Sequence, residues 1–148
     1  SKWIYANSTH TIDLLRYFGG EPHNINVINR SLFEKNGDQF AAIMNFDSGA
    51  IGSYNAHWYS PGGWNAVLYG DGVTVEFKPL ESCTWTDKQF KTHEIKPDDV
   101  DQKYKPGFYE QMKAFGEMVS NDSLSLPGQD LPAAYKTMQL AESISAKA

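Results

Sequence analysis

A single cysteine, Cys83, stands in 148 residues, so no internal disulfide can form. That fits a reducing, cytoplasmic compartment. It also excludes the usual structural zinc sites, which rest on several thiolates, and no pair of histidines or carboxylates shows ligand spacing, so no metal is expected. No apolar run approaches the ~20 residues of a membrane-spanning helix, and none has the form of a signal-peptide core. The 13 basic residues face 18 acidic ones, for a net charge of −5, and the basic residues nowhere cluster. A chain that grips phosphate backbones carries a basic stripe, so nucleic acid is not an expected partner. Also missing is a glycine-rich turn between a strand and a helix, the signature of a dinucleotide site, so no cofactor-binding residue is expected in this chain. The sequence opens at Ser1-Lys2-Trp3 without methionine, in what reads as mid-element, and further chain is expected upstream.

What is present is an ordinary globular composition, 41% hydrophobic and 21% charged. A domain of this length buries roughly 68–70% of its unfolded surface, enough to hold together without staples. Aromatics are plentiful: Trp3, Trp58, Trp64 and Trp85, with eight tyrosines and eight phenylalanines. They fit a strand-rich core, or an exposed surface used for association or ligand contact.

Periodicity organises the chain. Ile12, Leu15 and Phe18 recur at helical spacing and predict a helix over residues 9–18, capped by Asn7, Ser8 or Thr9 and stopped by Gly19-Gly20. From residue 24 to about 94 the period becomes two. Strands are expected over residues 25–33, 40–46, 52–58, 64–69 and 73–77, with shorter ones over 84–86 and 91–95. In the third strand Gly52, Tyr54, Ala56 and Trp58 share one face and Ser53, Asn55 and His57 the other. Tight turns with no helical crossover imply mainly antiparallel pairing. Residues 96–106 read as a charged, proline-bounded loop. Phe108, Met112, Phe115 and Val119 predict a helix over 107–119, and a last helix begins near Asp130 and carries Tyr135, Met138, Ala141 and Ile144.

The chemistry-bearing stretch is residues 7–21. His10 falls in the first turn of a helix, whose positive end repels a cationic ring, so a neutral imidazole is there to accept a proton from an alcohol. Asp13 follows at the same helix surface, where bonding to nearby backbone or to Arg16 is its simplest role. His57 reads as sheet surface or subunit contact, and His23 and His93 as loop and strand-edge residues. On these grounds alone His10 reads more readily as a cap or structural helix-start residue than as a catalytic one.

The run His-x-Ile-Asp-Leu-Leu-Arg-Tyr-x-Gly-Gly-Glu over residues 10–21 resembles a helix in the second domain of Gfo/Idh/MocA oxidoreductases. Phe46-Asp47-Ser48-Gly49-Ala50-Ile51-Gly52 resembles that family's Phe-x-x-Gly-Ala-x-Gly hairpin, and residues 67–76 its Gly-x-x-Gly strand pair. Gly107-Phe108 with Gln111 and Phe115, and residues 137–144, resemble its last two helices. Each motif is soft, but five occur in order along nearly the whole chain. The resemblance implies an α+β fold, an open, mainly antiparallel mixed sheet covered on one face by helices, as in the glyceraldehyde-3-phosphate-dehydrogenase-like C-terminal domain. It implies one substrate-binding and dimerisation domain over residues 1–148, separated from a Rossmann domain that binds NAD or NADP. The parent reaction would be oxidation of a secondary hydroxyl on a sugar, cyclitol or similar polyol, with His10 as catalytic base and Tyr5, Asn7, Thr9 and Asp13 as substrate contacts. Association into a homodimer or higher oligomer would use the free sheet face, burying some of Tyr54, Trp58 and Trp64. One departure stands out: the family commonly has a carboxylate four residues before the histidine, and this chain has Ala6. Two other readings fit the residues, a stand-alone α+β cone of the isomerase or dehydratase kind, and a non-catalytic dimeric scaffold or small-molecule-binding module.

Overall fold

The computed structural model describes residues 3–125 and 127–146. In order these form α1 (Trp3–Ala6), α2 (Thr9–Gly19), β1 (Pro22–Arg30), β2 (Gln39–Phe46), β3 (Ile51–His57), β4 (Ala66–Gly70), β5 (Val73–Phe77), β6 (Cys83–Thr86), β7 (Thr92–Ile95), α3 (Asp99–Lys103), α4 (Phe108–Asn121) and α5 (Leu131–Ser145). The α+β class and antiparallel pairing follow the sequence expectation. The strands form two sheets, β1-β2-β3 and β4-β5-β6-β7, and every pair in both is antiparallel. The chain correspondingly divides into two units, residues 3–62 with 131–146, and residues 63–130.

In the first unit, strand alternation builds the core. Phe40, Ala42, Met44 and Phe46 of β2 and Tyr54 of β3 point to one face and are buried, while Ile43, Asn45, Ser53 and Asn55 between them are exposed. The buried face is covered by Ile4 of α1, Ile12 of α2 and Leu140, Ala141 and Ile144 of α5. Each fully buried Ile, Leu, Phe or Met contributes about 1.5–3 kcal/mol. Helices thus cover one face of this sheet, and Ile28, Ile43 and Ile51 lie exposed. Tyr54 lies in the core, so it belongs to the helix-covered face and not to the free face where subunit burial was expected.

Close packing explains two glycines. A Cβ at Gly19 would meet the Phe46 ring at 2.7 Å, and one at Gly52 would meet it at 2.5 Å. The Phe46 ring therefore fills the gap between α2 and β3. Gly20, at φ 92, stops α2, and its N–H bonds the Arg16 carbonyl.

Beyond shifts of a residue or two at element ends, three features differ from the sequence reading. β1 ends at Arg30 and not near residue 33, because the Asp38 carboxylate accepts the backbone N–H groups of Leu32, Phe33 and Glu34 and curls them into a loop. Residues 99–103 are helical within the expected loop: Asp98 caps the turn, accepting the Asp101 N–H at 2.8 Å. A short α1 precedes the main helix, with Ile4 sealed in the core.

The second unit is a four-stranded meander with α3 and α4. Its cross-strand pair Trp85 and His93 stacks at 4.1 Å between ring centroids, and His93 Nε2 lies 3.0 Å from Asp87 Oδ2. No described helix is long and apolar enough to cross a membrane.

Candidate functional site

The site begins where α1 hands over to α2. Asn7 N–H closes on the Trp3 carbonyl at 2.8 Å, ending the first helix. Ser8, buried, is the N-cap of the second: its carbonyl accepts the Ile12 N–H at 3.0 Å and the Thr11 hydroxyl at 2.9 Å. Ile12, one residue past Thr11, is pinned in the core. These anchors fix the turn that carries His10, whose side chain is exposed.

The sequence-predicted residues sit around that turn as follows. Thr9 and Asn7 are half-buried beside His10 in sequence, and Tyr5 is exposed with its hydroxyl 3.2 Å from Ser145 Oγ on α5. Asp13, three residues past His10, accepts the Thr137 hydroxyl at 2.6 Å and lies 3.8 Å from Arg16 Nη1. Trp3 is held in the fold: its ring stacks on Trp58 at 5.0 Å and its indole N–H bonds the Gly37 carbonyl. Ala6, where the resemblance leads one to expect a carboxylate, is exposed at the end of α1. His57 ends β3 on the exposed face, and His23 on β1 lies 3.1 Å from Asp47 Oδ1.

Sequence reasoning overlooked the support behind α2. Arg16 Nη1 donates to the Ala133 carbonyl at 2.7 Å and to the Thr137 hydroxyl at 2.6 Å, while Nη2 donates to Glu21 Oε1 at 2.8 Å. The Thr137 hydroxyl in turn donates to Asp13, so Arg16, Thr137 and Asp13 form one hydrogen-bonded chain tying α2 to α5. Glu21 is held below its ordinary value first by the Arg16 hydrogen bond, with Lys136 adding to it against partial burial. Burial pushes the Tyr54 hydroxyl up, opposed by Ser8 and Thr11 beside it. No sequence signal singles out Thr137, because its partners lie more than a hundred residues away.

Chemically, the arrangement offers an exposed imidazole on a rigid turn, with hydroxyl and amide groups adjacent in the chain. No described strand pair is parallel, and no described strand runs through a glycine-rich turn into a helix. No described group of three or more His, Cys, Asp or Glu residues could hold a metal ion.

Comparison with known proteins sharpens the picture. The C-terminal domain model of the GFO/IDH/MocA proteins matches residues 2–76, just over half the chain. No curated protein matches in sequence. Among solved structures, a dehydrogenase from Clostridium difficile superposes with a TM-score of 0.79 at 14% identity, covering 95% of this chain and 46% of its own. A UDP-N-acetylglucosamine 3-dehydrogenase from Acidithiobacillus ferrooxidans gives 0.75 at 11% identity, covering 92% and 43%. Levoglucosan dehydrogenase, in complex with NADH and L-sorbose, gives 0.70 at 15% identity, covering 91% and 44%. The chain thus spans less than half the length of these relatives, and at such identities the likeness speaks for the fold. The family match and the fold agree: this chain belongs to the GFO/IDH/MocA C-terminal domain family, a domain of oxidoreductases.

Proposed function

We propose that this chain is the substrate-binding and dimer-forming domain of an NAD(P)-dependent oxidoreductase acting on a secondary hydroxyl of a sugar, cyclitol or similar polyol, in the cytoplasm. The observation that carries the reading is His10: in a chain of this family it stands exposed on the first turn of α2, on a backbone anchored by Ser8 and Ile12. Sugar-acting dehydrogenases among the structural relatives support the substrate class.

The nicotinamide coenzyme, NAD or NADP, supplies the redox chemistry and is bound mainly by a separate Rossmann domain. This chain's share is to bind and orient the alcohol and to move its proton. His10 takes the hydroxyl proton as general base, and Tyr5, Asn7, Thr9 and Asp13 contact the polyol. Asp13 also holds the turn in place through Thr137 and Arg16. Ile28, Ile43 and Ile51, exposed on the face that α2 and α5 leave open, support pairing of two copies through the sheet.

In the intact protein His10→Ala lowers turnover by about 10²–10⁴, the usual share of general acid–base catalysis. An unchanged turnover number removes His10 from the mechanism. The alanine at position 6 favours a second reading, a small-molecule-binding module of the same fold without turnover, which predicts ligand binding and no coenzyme reduction by the intact protein.

A further inference from the structure

Where β2 begins and β3 ends, the first unit carries a small cleft lined by Phe33, Gln39, His57, Trp58, Tyr59 and Ser60. Three features set it apart from an accidental hollow. Its aromatic walls are exposed without being loose: Phe33 is 72%, Tyr59 53% and Trp58 42% accessible. Phe33 and Tyr59 meet edge to face at 4.9 Å, the Tyr59 hydroxyl donates to Glu34 at 2.6 Å, and Trp58 is backed by the stacked Trp3 ring.

The loop that presents Phe33 is also fixed before any ligand arrives. Asp38, only 1% exposed, accepts the N–H groups of Leu32, Phe33 and Glu34, its own N–H closes on the Arg30 carbonyl at 2.9 Å, and its carbonyl accepts the Trp58 N–H at 2.9 Å. Gln39 and His57 face each other across the last rung of the β2–β3 ladder. A loop ordered in advance spares a ligand the entropy of ordering it.

The lining also selects the ligand. No lysine or arginine is among the lining residues; Arg30 meets the cleft only as the cross-strand partner of Gln39. The bordering carboxylate, Asp38, is turned onto three backbone donors, and Glu34 behind Tyr59 is engaged through Oε1 by the phenol hydroxyl. What remains is aromatic faces beside neutral hydrogen-bonding groups: the amide of Gln39, the imidazole of His57 and the hydroxyl of Ser60. That combination matches a ring with an apolar C–H face and a rim of hydroxyls. We propose that this cleft, whose lining does not include His10, is a binding site for a single neutral sugar ring, independent of whether His10 is catalytic.

The test uses the intact protein labelled with ¹⁵N at tryptophan and titrated with methyl β-D-glucopyranoside. The Trp58 indole signal, assigned by its loss in Trp58→Phe, moves saturably. Tyr59→Ala, which removes an exposed ring outside the core, weakens binding by about tenfold, the equivalent of ~1.4 kcal/mol. The His10→Ala variant retains the shift in full, which separates this site from the proposed active site. Any of these results overturns the proposal: a Trp58 signal that does not move, a shift that is the same in Phe33→Ala/Tyr59→Ala, or a tighter response to tetramethylammonium than to the glucoside. If the double variant changes the sedimentation coefficient, the cleft is a subunit contact, and the proposal fails on that ground.

Discussion

Asp38 shows how one side chain can shape both the fold and a surface. Burial pushes its carboxyl up, but the N–H groups of Phe33, Glu34 and Leu32 outweigh that and hold it below the ordinary carboxylate value. A carboxyl lowered by folding stabilises in full above its unfolded value, near 4, and that contribution disappears as pH falls through the lower folded value. Glu21 behaves in the same sense through Arg16. Asp38→Asn therefore lowers the melting temperature by several degrees at neutral pH and flattens its decline between about pH 5 and pH 3. Thermal scans across that range check it; a variant that declines as steeply as the native protein contradicts the role given to Asp38. No sequence pattern marks Asp38 for this role, because its three backbone partners are brought to it only by the curl of the folded loop. His10 and Asp13 were visible as a spaced pair, whereas Thr137, which bonds Asp13, was not, because the pairing spans 124 residues.

At the scale of elements, alternation was legible wherever one strand face is buried. Phe40, Ala42, Met44 and Phe46 were readable as a core face because period-two burial writes itself directly into residue type. Ends were less legible. β1 stops where a side chain captures the backbone, and α3 exists because Asp98 supplies a cap within a charged stretch. The gap between α2 and β3 gives a sharper prediction. Gly52→Ala drives a methyl group into the Phe46 ring and costs about 1–3 kcal/mol, the usual penalty for overpacking a closed core. Trimming the ring in Gly52→Ala/Phe46→Leu recovers part of it. Denaturant titration measures both, and a neutral single variant contradicts the packing described. Arg16 acts at the same scale: replacing it with Met removes its bonds to Ala133 and Thr137 on α5 and destabilises by about 1–3 kcal/mol. A melting point unchanged in Arg16→Met is inconsistent with that clamp.

For the whole molecule, the order of one helix, a run of antiparallel strands and two closing helices argues against a doubly wound sheet, whereas the family that the comparisons identify was legible only through the resemblance of five soft motifs in order. The division of the strands into two sheets was not legible, since each hairpin is locally alike and the break between β3 and β4 is only a glycine-rich loop. If the coenzyme site lies in a separate Rossmann domain, this chain alone binds NAD(H) with no measurable heat in calorimetry, and tight binding refutes that division of labour.

The central claim is that the first turn of α2 presents His10 to the alcohol being oxidised. A crystal structure of the intact protein with coenzyme and a polyol substrate analogue tests it most directly. The account predicts a substrate hydroxyl within roughly 2.6–3.2 Å of a His10 ring nitrogen, the reach a general base requires. A polyol bound against the coenzyme with His10 turned away and out of hydrogen-bonding reach contradicts it.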